Sequence, residues 1–327
     1  MGVFVKNSSV FPQAYAAKNL NEGIRSKSRS GGVFTELARP ILNNGGAVYG
    51  CALTPDFLAE HVRVDSWDDF PKLRGSKYIQ SSMGKIWASL ESDIRADIPV
   101  LFSGTPCQVA AVRSFAAVKH LSLDKCLLVD VVCHGVPSPA VWESYLRHME
   151  DKYDGKIESV DFRDKSRFGW AAHHESVVLN GEVRSTETFK NLFYAHHILR
   201  DSCSVCPYKS THRPGDVSIA DFWGIDEAVP GFNDDRGVSL VLVNSSVGDV
   251  AFHASIVNLQ IVSVPLEKCL QPALVGPFHE PSNRDKFWND YHSGKDIEVL
   301  ERKYALPPIW QRLSGKVKRG IKKVIGR

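Results

Sequence analysis

Residues 99–137 read PVLFSGTPCQVAAVRSFAAVKHLSLDKCLLVDVVCHGVP. Pro99–Phe102 is a short apolar run, Gln108–Ala117 has helical character, and Cys126–Cys133 (CLLVDVVC) is almost continuously apolar. A run of that last kind suits a strand buried on both faces, and such strands belong to sheets covered by helices. The alternation of strand and helix predicts an α/β protein. Each apolar run leads into a small-residue turn carrying one cysteine, Cys107 behind Gly-Thr-Pro and Cys133 ahead of His-Gly-Val-Pro. In open α/β sheets, ligands bind at the carboxyl ends of the strands, so both turns are candidate site segments.

The same alternation extends outward. Upstream, the loop Ser28–Gly32 precedes a helix predicted over Val33 to Asn43, with Phe34, Leu37, Ile41 and Leu42 on one face. Gly45 and Gly46 then lead into a strand, Ala47–Leu53. Downstream, Pro137-Ser138-Pro139 opens a helix over Ala140–Lys152 with Ser138 as its N-cap. Ile157–Arg163 and Glu175–Leu179 read as antiparallel strands, the second ending at the turn signal Asn180-Gly181. Gly215–Phe222 and Val238–Asn244 are two further strands. The expectation is a central mixed sheet flanked by helices, with a cysteine-bearing insertion.

Composition sets outer limits. The chain has 327 residues, 43% of them hydrophobic and 24% charged, as in ordinary globular proteins. No apolar run approaches the roughly 20 residues that span a bilayer, and the N-terminus does not read as a secretory leader. Seven cysteines spread over a long chain argue for a reducing, cytoplasmic setting rather than a disulfide scaffold. Lys316, Lys318, Arg319, Lys322, Lys323 and Arg327 carry the positive balance, which leaves the body mildly acidic and no partner role for nucleic acid. With Leu313, Val317, Ile321, Val324 and Ile325 on one face, this tail reads either as a basic helix on the inner face of a membrane or as a frayed terminus.

Cys203-Ser-Val-Cys206 adds two thiols at a spacing that presents both to one metal. Together with Cys107 and Cys133 it makes a soft four-sulfur set, suited to an iron-sulfur cluster or a structural zinc. Zinc sites usually pair two CxxC motifs, whereas here two ligands are single, an arrangement a cluster tolerates better. Cys51, Cys126 and Cys269 are assigned to structure. Two loops suit a phosphate or flavin: Ser30-Gly31-Gly32 before a helix, and Ser76, Lys77, Tyr78, Gln80 and Ser81, which combine a cation, an aromatic ring and hydrogen-bonding groups. Lys77 is the candidate catalytic cation near the electron-rich edge of a flavin. His134 is either a proton donor beside the site or a satisfied structural histidine.

SRSGGVFTELA, LRGSKYIQSSMG, VLFSGTPCQVAAV, VVCHGVPSPAVWESYL, VDFRDKSRFGW, CSVCPYK, RPGDVSIADFWGI and DDRGVSLVLVNS occur in that order. Together they resemble the coenzyme F420 hydrogenase/dehydrogenase β-subunit family over about residues 14–300. The resemblance implies an iron-sulfur flavoprotein oxidoreductase holding FAD and a [4Fe-4S] cluster. Its electrons pass between a small-molecule hydride donor or acceptor, F420-like or other, and a separate ferredoxin-like carrier or redox subunit. It places the cluster on Cys107, Cys133, Cys203 and Cys206, in a cluster-binding insertion, and flavin contacts at Ser30–Gly32, Ser76–Ser81 and Gly104–Thr105. It divides the chain into a flavin-loop region at 14–95, a C-terminal domain with the iron-sulfur site at 96–300, and the basic tail at 301–327. Many relatives carry an N-terminal ferredoxin-like segment, while the first cysteine here is Cys51. Similar stand-alone members belong to bacterial surface-polysaccharide pathways. The other reading is a non-catalytic or zinc-stabilised accessory protein of such a pathway.

Overall fold

The structure, a computed structural model, describes residues 11–307. Its strands in chain order are β1 (Gln13–Asn19), β2 (Ala47–Leu53), β3 (Ala59–Val64), β4 (Val100–Gly104), β5 (Cys126–Val131), β6 (Ile157–Asp161), β7 (Glu175–Leu179), β8 (Glu182–Thr186), β9 (Val217–Asp221), β10 (Ser239–Val243) and β11 (Leu259–Val264). Eight of them form one mixed sheet in the order β11-β1-β10-β9-β5-β4-β2-β3. The central strands β2, β4, β5 and β9 run parallel, and antiparallel strands close both ends. The strands of residues 14–95 are thus bonded into the same sheet as those that follow.

Burial on both faces explains why the central runs lack polar alternation. Leu127 and Val129 of β5 join the cluster under the Val33–Asn43 helix, with Val33, Leu37 and Leu42. Cys126 and Leu128 face the opposite layer with Val109 and Val112 of the Pro106–Val118 helix. A smaller antiparallel sheet, β6-β7-β8, packs a second core with the Pro139–Tyr153 helix, in which Trp142, Tyr145, Phe162, Val177 and Phe189 are buried. Between β8 and β9 runs the cysteine-bearing insertion.

The predicted helix at 33–43 and strand at 47–53 form with those bounds. The helix expected to begin at Gln108 instead begins at Pro106, with Thr105 as N-cap. Proline is favoured at the first helical position, and Gln108 closes a capping box by accepting from the Thr105 N–H at 2.9 Å. Cys107 therefore sits in the first turn of a helix rather than in a loop. β1, β3, β8 and β11 were not anticipated. No described helix is long and apolar enough to cross a membrane. The basic face reaching to residue 327 lies outside the described residues.

The insertion is fastened to the sheet by a buried ion pair. Asp130 of β5 and Arg213 are both almost wholly buried. Asp130 accepts from Arg213 Nε at 3.1 Å and from Arg213 Nη2, and its second oxygen takes the Gly215 N–H at 2.9 Å. Arg213 Nη1 donates to the Tyr208 carbonyl at 2.7 Å. Removing one member of such a pair leaves an uncompensated buried charge. Arg213→Met is expected to cost about 3–5 kcal/mol in denaturant unfolding; a cost below about 1 kcal/mol would refute this account of the anchor.

Candidate functional site

Register starts two of the cysteine-bearing turns from neighbouring strand ends. β4 and β5 pair in parallel with Gly104 opposite Asp130, and Cys107 and Cys133 each lie three residues further on. The CSVC segment reaches the same place by another route. Leu199 bridges Pro137, Arg200 N–H donates to the Val136 carbonyl at 3.1 Å, and a Cβ at Gly135 would lie 3.5 Å from Cys203 Cβ. Lys209 Nζ donates to the His134 carbonyl at 2.6 Å.

Electrostatic coupling reports the same convergence. Burial pushes the Cys133 thiol up to about 12, and neighbouring Cys203 and Cys107 add to the rise. Cys203 is also raised, by burial and by Cys206 and Cys107 beside it. Burial lowers Lys209, opposed by the nearby thiols of Cys133, Cys203 and Cys206. Among the described residues, no three of the four sulfurs lie mutually within 4.8 Å. Four thiolates on one zinc, each at about 2.3 Å, would sit about 3.8 Å apart. The donor set suits soft metal chemistry.

Beside the cysteines lies a cavity of about 920 Å³, at the upper end of the usual range for ligand sites. Ser30, Gly32, Ser76, Lys77, Tyr78, Gln80, Ser81, Gly104 and Thr105 line it, as do Cys107, Cys133 and His134. Gly31 does not. A Cβ there would meet the Ala17 carbonyl at 2.2 Å, so this glycine serves the approach of the loop to β1. Gly32 has φ +84° and caps the Val33–Asn43 helix without a side-chain bond, which leaves that N-terminus free to receive an anion. Ser30 Oγ donates to the Val238 carbonyl at 2.6 Å. Lys77 is turned toward the Lys72 and Arg74 carbonyls, at 2.9 and 2.8 Å, and burial lowers it to about 8. His134 meets His196, Nε2 to Nε2, at 2.8 Å, and burial holds it near 4.

Further residues complete the lining. Arg29, Arg163 and Trp223 form one wall, with Cys51 and Gln108 elsewhere on the lining. His61 of β3 organises another part. Its Nε2–H donates to the Ser103 carbonyl at 3.0 Å, so Nδ1 accepts from Ser81 Oγ–H at 3.0 Å. Ser81 in turn accepts from Gln108 Nε2 at 2.8 Å, and Gln108 Oε1 holds Thr105. Thr105 Oγ1 stands 3.1 Å from Cys107 Sγ. The Thr105-x-x-Gln108 spacing was readable as a capping box; a lone histidine on a strand carries no such signal.

Burial lowers His61 to about 4. The folded state keeps this ring neutral, so its share of stability is present above the unfolded value of about 6.5 and is lost as pH falls toward 4. His61→Gln is expected to reduce the loss of unfolding free energy between pH 7 and 4.5 by roughly 2–3 kcal/mol. An unchanged pH slope would refute the neutral-ring network.

Comparison with curated proteins gives no match. The fold is similar to a chain in the xenon-derivatised structure of the F420-reducing [NiFe] hydrogenase complex from Methanosarcina barkeri. That chain shares 20% identity over 79% of this chain and 83% of its own length, with a TM-score of 0.54, a likeness that establishes the fold. The family described as the carboxyl-terminal part of the coenzyme F420 hydrogenase/dehydrogenase beta subunit matches residues 99–268. That span is just over half of the chain and contains all four converging cysteines, so the protein belongs to the coenzyme F420 hydrogenase/dehydrogenase β-subunit family.

Proposed function

We propose that the protein is an oxidoreductase that holds a [4Fe-4S] cluster on Cys107, Cys133, Cys203 and Cys206 and FAD in the adjoining cavity. The observation that carries this reading is the convergence of four thiols from three segments, two of which, Cys107 and Cys133, line one large cavity while Cys203 and Cys206 stand behind them. When bound, a flavin supplies two-electron hydride chemistry and a cluster supplies one-electron steps, which suits exchange between a small molecule and a carrier protein.

The chain's own residues have definable tasks. The thiols must surrender their protons to bind metal, and Cys133, pushed up by burial, resists most until a cation arrives. Lys209, coupled to three of the thiols, supplies a fixed positive charge to offset the thiolates. The free N-terminus of the Val33–Asn43 helix and the Ser30–Gly32 turn suit a phosphate. Ser81, Gln108 and Thr105, locked in one donor order by His61, present fixed polar groups along the lining. In this reading residues 14–95 bring flavin loops to the cavity and 96–300 bring the cluster ligands. At the paired His134 and His196, one Nε2–H donates to the other ring's lone pair, a place to hold a proton beside Cys133.

Cys107, which is exposed, and Val205, which is 76% exposed between Cys203 and Cys206, bring this edge to the protein surface, where a one-electron partner has access. Protein purified without oxygen is expected to contain iron, sulfide and FAD, with a visible spectrum that bleaches on reduction. Cys203→Ala is expected to lose most of the iron while retaining flavin. Stoichiometric zinc without iron or flavin would overturn the proposal and favour the accessory-protein reading; unchanged iron in Cys203→Ala would reject the ligand set.

A further inference from the structure

We infer that Arg29 and Arg163 form an anion-receiving pocket in the cavity wall, one that takes a phosphate or carboxylate group of a bound molecule. Both side chains are buried, at 9% and 5% exposure, and both lean on a single carboxylate. Asp221 Oδ2 lies 3.4 Å from Arg29 Nε and 3.0 Å from Arg163 Nη1. No other described carboxylate comes within 4.0 Å of either guanidinium. Asp161 acts on Arg29 only from a distance, so the direct contacts set one carboxylate against two guanidiniums where solvent screening is weak.

Donor accounting points the same way. Arg29 Nη2 donates to the Trp170 carbonyl at 2.8 Å. Arg163 donates through Nη1 to Tyr78 Oη at 3.3 Å and through Nη2 to the Ala172 carbonyl at 3.2 Å. Arg29 Nε and Nη1 and Arg163 Nε are buried without a hydrogen-bond acceptor. Buried guanidinium donors without acceptors are rare, because each forfeits its hydration. These three atoms have almost no accessible surface, so a bound anion would meet them only as the two side chains swing toward it, and it would then supply acceptors and charge together; guanidinium forks match both carboxylate and phosphate.

The surroundings favour a ligand over a merely structural pair. Arg163 lies over the Trp223 ring at 5.1 Å, and Trp223 stacks on Trp170 at 5.2 Å yet remains 40% exposed at the cavity. Lys165, held by the carbonyls of Arg25, Ser28 and Arg236 and by no carboxylate, adds positive charge behind Arg29. The uncapped helix N-terminus at Gly32 begins three residues after Arg29 and lines the same cavity. The anion has two chemical sources. One, a phosphate of the bound flavin, rests on the function proposed above; the other, an acid group on the substrate, does not.

The test is thermal unfolding with inorganic pyrophosphate against chloride of equal ionic strength, on flavin-free and FAD-loaded protein. Flavin-free wild type is expected to gain several degrees with pyrophosphate, and Arg29→Gln and Arg163→Gln are expected to lose that gain. Asp221→Asn serves as a variant of opposite sign: it removes the competing carboxylate and should respond more strongly than wild type. If the gain disappears on loading FAD, and Arg29→Gln weakens FAD at least tenfold while leaving riboflavin binding unchanged, the flavin's phosphate fills the pocket. If the gain persists with FAD bound, the substrate supplies the anion. No pyrophosphate response in wild type, or equal responses in wild type and all three variants, would overturn the inference. A protein devoid of iron and flavin that still shows the Arg-dependent gain would refute the proposed function and leave this site standing.

Discussion

The site depends on one buried ion pair. Asp130 and Arg213 are hidden from water, and neither is tolerable there without the other. Asp130 lies on β5, three residues before Cys133, and Arg213 gathers the carbonyls of Tyr208 and Val131 while Gly215 N–H completes the carboxylate. A loop that would otherwise wander is therefore pinned to the strand that carries a candidate ligand. Gly215 itself is packed against Asp130, where a Cβ would come within 2.9 Å of backbone nitrogen. The geometry of the CSVC segment is thus set from both ends, by this pair on one side and by the Pro137–Leu199 bridge on the other.

Much of the sheet's centre was legible because its strands are buried on both faces, and burial of that kind writes itself into sequence as unbroken apolar runs. The antiparallel margins were not. β1 (QAYAAKN) has little β-branched content and gains its burial only by pairing with β10 and β11, over two hundred residues away. β3 (AEHVRV) carries Glu60 on one face and Arg63 on the other, and charge of this kind marks edge strands. The four cysteines were legible because CxxC and strand-end turns are local patterns. Arg29 and His61 were not, since their meaning comes from Asp221 in one case and from Ser81 and Ser103 in the other, none of them neighbours in sequence.

The cavity wall divides its labour by charge. On the His61 side, a neutral ring, two hydroxyls and one amide bond in a single forced order. On the Arg163 side, positive groups outnumber the carboxylate between them. Lys77, whose sequence context suggested an open cation, spends two of its donors on backbone carbonyls. The cavity's cationic character therefore lies more with Arg29 and Arg163 than with that lysine.

The pairing of β1 with β10 also governs when the fold can exist. Gln13 finds its partner at Val243, so β1 must wait for a strand made 230 residues later. At ribosomal rates of 5–20 residues per second, that wait is roughly 10–50 seconds. During it, β1 lacks its β10 partner, and Gly31 can approach Ala17 but not yet Ser239. A nascent chain of this design can pair β2, β4 and β5 early, but the Ser30–Gly32 loop finds its full surroundings only once β10 has been made.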